Sequence, residues 1–181
     1  MEIKEIEKTE VLKGGEFLVK ETNANDVFIR EEFGEEQMMM LNATEEFSKI
    51  EIKPNIMRFE EKDYALVESL MRKAGQLGLL AVSIPEKYHG LGMGFNTGML
   101  ICEEISSLTG SLATAFGAHT GIGTLPILLY GTEEQKNYYL PKISSGEWIS
   151  CYNLTEPDAG SDANSGKTKA VLTSDGEHYE I

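Results

Sequence analysis

The stretch "LTEPDAGSDANSGKT" (Leu154–Thr168) decides how the chain is placed, because its last nine residues come within one position of a nucleotide phosphate loop. In that loop, G-x-x-x-x-G-K-[ST], backbone N–H groups and a lysine wrap a triphosphate, and the helix that follows supplies much of the anion site. Here five residues separate Gly160 from Gly166, one more than the pattern allows. The continuation "KAVLTSDGEHYEI" (169–181) is rich in β-branched and aromatic residues around a turn, so it predicts a hairpin and not a helix. Lys167 and Thr168 then look like the beginning of a strand.

Immediately upstream, "WISCYNLT" (148–155) has the texture of a β-strand and delivers Tyr152, Asn153, Leu154 and Thr155 to its end. Glu156, Pro157, Asp158, Ala159, Gly160 and Ser161 follow as a loop of small and polar residues. Exposed amides and hydroxyls at a strand end can hydrogen-bond the edge of a planar heteroaromatic ring or a phosphate. The residues alone leave a ligand-binding loop and a structural turn equally open. One strand and one hairpin do not hold together in water, where three or more packed strands are needed. Ile181 therefore reads as a cut end, and residues 148–181 as the truncated start of a β domain.

Before that boundary the period is helical. Met40, Ala43, Phe47 and Ile50 form one apolar stripe ended by Pro54, and Tyr64, Val67, Leu70, Met71, Ala74 and Leu77 form another ended by Gly78. Thr97 offers an N-cap for a helix carrying Ile101, Ile105 and Leu108. Leu112, Ala115, Phe116, His119 and Ile122 share a face, "TLPILLYG" continues helically, and Thr132 with Gln135 makes a capping box for a short helix ending before Pro141. Residues 33–147 thus form a domain of five or six helices, preceded by an arm over 1–32.

Composition limits the partners. The 181 residues include 16 basic and 30 acidic side chains, a net charge of -14 that repels a nucleic-acid backbone. Two isolated cysteines and three scattered histidines give neither a disulfide framework nor metal-ligand spacing, and they fit a reducing compartment, here the cytoplasm. The N-terminal "MEIKEIEKTE" has no continuous apolar region, so neither a signal peptide nor a transmembrane segment is expected.

Several residues invite more chemistry than their setting supports. Gly90, Gly92, Gly94 and Gly98 match no dinucleotide register and follow a proline, which favours a structural connection. His119 lies on an apolar face without a carboxylate or cysteine partner at helical spacing, which favours a satisfied core or pocket histidine over a catalytic base. Glu103 and Glu104 point about 100° apart on a helix, as ion-pair partners or solvated groups would. Met38 to Met40 read as helix packing.

"YNLTEPDAGSDANSGKTKA" (152–170) resembles the signature that opens the middle β-domain of acyl-CoA dehydrogenases, an aromatic residue, then x-[LV]-T-E-P-x-A-G-S-D and K-T-x-A. "GLLAVSIPEKYHGLGMG", "GAHTGIGTLPILLYGTEEQKNYYLPKISSGEW" and "FGEEQMMMLNATEEF" extend the similarity over nearly everything from Val27 to Ile181. The "KGGEFL" arm and the "GAHTGIG" helix look most like the very-long-chain branch.

The resemblance implies a mainly α fold: a helical N-terminal domain followed by the first strands of an incomplete β-barrel middle domain. It implies FAD as cofactor, acyl-CoA as substrate, α,β-dehydrogenation as the reaction, electron-transferring flavoprotein as the electron acceptor, and a homodimer or homotetramer. Tyr152 to Ser161 would form the first flavin-contacting segment, with the Leu154 amide and Thr155 hydroxyl facing the ring and Ser161 contacting CoA. Glu156 is not the expected base, because the family's catalytic glutamate lies in a C-terminal domain; the fragment alone would then be inactive. Gly117 and Gly121 would line a wide cavity suited to a long acyl chain, with tight helix packing by small residues as the competing explanation. An oxidase or monooxygenase of the same fold, and a non-catalytic helical scaffold, remain the alternatives.

Overall fold

Helix formation starts where a side chain can satisfy the first free backbone groups. In the computed structural model, which describes Leu12 and residues 14–181, the Gly34 N–H donates to Gln37 Oε1 (3.0 Å) at the head of α1 (Glu35–Phe47). Residues 1–11 and Lys13 of the expected arm lie outside the described residues; the rest of the arm forms three single 3₁₀ turns, at Glu16–Leu18, Ala24–Asp26 and Arg30–Glu32.

The inward stripe of α1 is Leu41, Thr44 and Phe47, continued by Ser48 and Ile52, whereas the expected Ile50 is 58% exposed. The cause is a π turn over Ser48–Ile52, which takes more residues per turn and moves the inward position onward. Pro54 does not end the helix. It sits at the head of a 3₁₀ turn (Lys53–Asn55), where a missing N–H costs little, and α2 (Ile56–Glu60) continues beyond it. Helix α3 (Tyr64–Gln76) is capped by Asp63, whose carboxylate accepts the Leu66 N–H (3.0 Å) and pairs with Arg58 (2.6 Å). It buries Leu70, Met71 and Ala74, leaving Tyr64 and Leu77 exposed at its ends.

The glycine-rich connection is structural, as expected. Leu91, Gly92 and Met93 donate their N–H groups to the carbonyls of Ala81, Ile84 and Val82 (2.9–3.0 Å), folding the segment back on itself. A Cβ at Gly90 would lie 1.8 Å from the Ile84 carbonyl oxygen, so only glycine fits there. Helix α4 (Phe95–Leu108) begins after Gly94, one turn earlier than a Thr97 cap requires. Thr97 is instead buried, donating to the Met93 carbonyl (3.1 Å) and accepting from Gln37 Nε2 (3.1 Å), which ties α4 to α1.

Helix α5 (Gly110–Gly117), a π turn (Ala118–Gly123) and α6 (Leu125–Tyr130) form one run. Leu112, Phe116 and His119 face inward as expected, but Ile122 is 48% exposed, and Gly123 and Thr124 take its place because the π turn again shifts the phase. The 21 residues Gly110–Tyr130 are long and apolar enough to match a membrane span by length and composition, and they supply Leu112 and Phe116 to the core. Helix α7 (Glu133–Ser144) carries the expected capping box, Thr132 N–H to Gln135 Oε1 (2.9 Å) and Gln135 N–H to Thr132 Oγ1 (3.2 Å). It runs through Pro141, whose absent N–H falls in the last turn and forgoes a single bond.

The described chain is therefore five helical runs around one core, in which Phe47, Ile52, Leu70, Ile101, Ile105 and Phe116 are central. A smaller cluster joins Ile84, Tyr88 and Leu140. Beyond α7 stands one hairpin, β1 (Val171–Leu172) antiparallel to β2 (Tyr179–Glu180), with Leu172 opposite Tyr179. The strand expected over 148–155 does not form, since no partner strand lies beside it among the described residues, and Lys167–Thr168 precede the first strand residue. At the junction, Trp148 packs against Tyr138 (5.8 Å between ring centres) and Tyr139 (6.0 Å), with Lys142 Nζ 4.2 Å from the indole centre.

Candidate functional site

The segment Tyr152–Ser161 is one exposed unit, apart from half-buried Glu156 and buried Ala159. From Cys151 to Thr155 the chain forms no regular element and makes no backbone hydrogen bond among the described residues, so a row of N–H and C=O groups stands open. Tyr152 and Leu154 are about half exposed beside it. The loop then closes sharply: Glu156 and Ala159 exchange both backbone hydrogen bonds (3.1 Å each) around Pro157 and Asp158.

Glu156 has a structural task. Its carboxylate accepts the N–H of Lys167 (2.7 Å) and of Thr168 (3.1 Å), pinning the loop to the chain that leads into β1. Hydrogen bonding from the Thr168 side chain, then from the Lys167 and Thr168 backbone, holds the carboxyl below the usual range. A carboxylate so engaged is a weaker proton acceptor than a free one. Lys167 Nζ reaches Asp158 (3.0 Å) on the exposed side, an ion pair of small energetic weight. Ser161 points to solvent with no hydrogen bond among the described residues.

His119 anchors the root of this segment. It is fully buried; the Ser150 N–H donates to Nδ1 (3.1 Å), leaving Nε2 as the donor to the Ile143 carbonyl (3.1 Å). Burial pushes its pKa down, and the imidazole is neutral. The satisfied core histidine expected from sequence is what forms. Ser150 itself was not foreseeable as a site residue, since 31 positions separate it from His119 and no local pattern marks the pairing.

Gly117 and Gly121 face a cavity of about 110 Å³ between α4, α5 with its π turn, α6 and the 79–84 connection, lined also by Val82, Phe95, Met99 and Leu128. A Cβ at either glycine would meet nothing within 4 Å. These two glycines therefore do not serve close helix packing; they leave space. Glu103 pairs loosely with Arg30 (3.7 Å), both exposed, in keeping with an ion-pair role.

Residues 34–147 match the family described as acyl-CoA dehydrogenase, N-terminal domain. A probable acyl-CoA dehydrogenase of Bacillus subtilis is 43% identical over 172 residues, 95% of this chain and 29% of that protein. The mitochondrial isovaleryl-CoA dehydrogenase of Bos taurus is 34% identical over 148 residues, 81% of this chain and 34% of its own length. Among solved structures, an acyl-CoA dehydrogenase of Bacillus anthracis complexed with FAD superposes with a TM-score of 0.85 at 43% identity, covering 92% of this chain and 29% of that one. The chain thus spans about a third of the length of these proteins, and none of them supports the very-long-chain branch. Sequence signature, helical architecture and these likenesses agree, and the chain belongs to the acyl-CoA dehydrogenase family.

Proposed function

We propose that the full-length protein is an FAD-dependent acyl-CoA dehydrogenase and that this chain supplies its helical domain, part of the acyl site and the first flavin-contacting segment. The open backbone of Cys151–Thr155 carries the reading. Unpaired N–H groups beside the exposed Thr155 hydroxyl are the donor set that the pyrimidine edge of a flavin requires. Such donors also favour the negative charge that reduction places there. FAD, when bound, supplies the acceptor for the substrate's β-hydride.

The remaining roles fall to this chain's own residues. Tyr152 to Ala159 hold the ring edge, with Pro157 and the Glu156 clip fixing the loop, and Gly160 and Ser161 leave an open approach for the CoA moiety. The base that takes the α-proton lies elsewhere in the full-length protein, so the 181-residue chain alone is inactive. Electrons pass to electron-transferring flavoprotein and the assembly is a homodimer or homotetramer, both supported by family membership; the compartment is the cytoplasm, supported by two isolated cysteines and an N-terminal stretch without a continuous apolar run.

The cavity supports a reading of acyl length. At about 110 Å³ it is smaller than the roughly 150 Å³ apolar cavity that admits a benzene, so within this chain it takes a short or branched acyl segment, and a longer chain would have to continue beyond it. Gly117→Leu or Gly121→Leu should then shift turnover toward shorter substrates; an unchanged ratio of long- to short-chain turnover ends the assignment. The overall reading is tested on purified full-length protein, which should be yellow and bleach on adding an acyl-CoA. A colourless preparation refutes it, and stoichiometric hydrogen peroxide without an added acceptor would mark an oxidase instead.

A further inference from the structure

The π turn Ala118–Gly123 has the acyl cavity on one side and the root of the open segment on the other. Gly117, Thr120, Gly121 and Thr124 line the cavity, while His119, between Gly117 and Thr120 in sequence, grips Ser150, four residues before Leu154. We propose that His119 is a positioning residue for the flavin, fixing Ser150, and through it the Cys151–Thr155 backbone, relative to the acyl cavity. The inference rests on the flavin reading above.

The grip is built from both polar parts of His119. Its Nδ1 takes the Ser150 N–H (3.1 Å), and its carbonyl takes the Ser150 hydroxyl (3.1 Å) and the Thr124 hydroxyl (2.5 Å). Nε2 is tied to Ile143 on α7 (3.1 Å), so the ring cannot turn without abandoning a buried carbonyl. Gly123 completes the fit: a Cβ there would lie 2.7 Å from Ser150 Oγ and 2.8 Å from its carbonyl carbon. Everything beyond Ser150 up to Thr155 lacks a backbone partner among the described residues, which makes this node the nearest fixed point behind the ligand-facing groups. A shift of the turn, as an occupant pressing on Thr120 or Gly121 would cause, is carried to Ser150 by the same bonds.

Two substitutions in the full-length protein separate the donor and acceptor halves of the ring. His119→Asn keeps an acceptor near the Nδ1 position; His119→Gln loses it but keeps a donor reaching toward Ile143. The readouts are the Kd for FAD, the visible spectrum of the bound flavin, and hydrogen exchange of the Ser150 amide. His119→Gln should raise the Kd about tenfold, shift the spectrum and deprotect the Ser150 amide, while His119→Asn stays within about threefold of wild type. A folded His119→Gln protein with a deprotected Ser150 amide but wild-type Kd and spectrum overturns the proposal and leaves the flavin reading standing. Wild-type protein that takes up no FAD sinks both. Where His119→Gln does not fold, Ser150→Ala decides, since it removes the hydroxyl contacts and spares the ring: a Kd raised about threefold is expected, and an unchanged one overturns the proposal.

Discussion

The helical runs and the segment after Trp148 are held together by different physics. Residues 35–144 close an apolar core, with Ile52, Ile101 and Leu140 at 0% exposure. Residues 151–181 bury almost nothing: Val171, Leu172 and Tyr179 are all more than half exposed, and Ala159 is the one buried side chain among them. What order they have comes from polar clips, Glu156 to the Lys167 and Thr168 amides and His119 to Ser150. One region is stabilised by exclusion of water; the second is a set of open edges hung from a few hydrogen bonds.

The sharpest way to break that contrast is a pair of truncations. Ile101→Ala should cost about 2–5 kcal/mol in chemical denaturation, through lost burial and the cavity it leaves. Leu172→Ala in the same chain should stay within about 0.5 kcal/mol. Equal costs would mean that the β segment is packed after all. A second measurement bears on the joint between the regions. Because burial keeps His119 below its ordinary pKa of 6.5, the unfolded chain binds that proton first as the pH drops. Its stabilising contribution is complete above about pH 6.5 and is lost as the pH falls from there through the folded value. Denaturation midpoints taken on either side of that range should separate more for wild type than for His119→Asn, and equal separations would remove His119 from the pH response. The smallest effect is expected at the cavity wall: Gly117→Ala, at a helical site with open space, should stabilise by about 0.5–1 kcal/mol. A loss there would show that the space is needed for packing.

What could be seen in the sequence follows the same divide. The capping box at Thr132, the stripe of α3 and the inward Ile101 and Ile105 depend on neighbours three or four positions away, and they were legible. Pro54 and Pro141 misled because a proline stops a helix only where its N–H is needed, and both fall where the helix changes type or ends. Ile50 and Ile122 were assigned inward on a constant 3.6-residue period, which the two π turns break. The strand over 148–155 has the right residues and lacks only a neighbour, a property no local pattern reports. The flavin-facing role proposed for Tyr152–Ser161 rests on the family signature; residue chemistry alone leaves a plain turn open, and the Glu156 clip depends on amides eleven and twelve positions away.

The aromatic packing at the junction has a spectroscopic consequence. Trp148 is the chain's only tryptophan, and it lies against Tyr138 and Tyr139 under the Lys142 ammonium, where helical body and open segment meet. Its emission therefore reports on this hinge before it reports on the core: detachment of the segment from α7 moves the indole away from a cation and two rings while Ile101 and its neighbours are still dry. A fluorescence transition that precedes the loss of helical circular dichroism would be the optical signature of the joint opening alone.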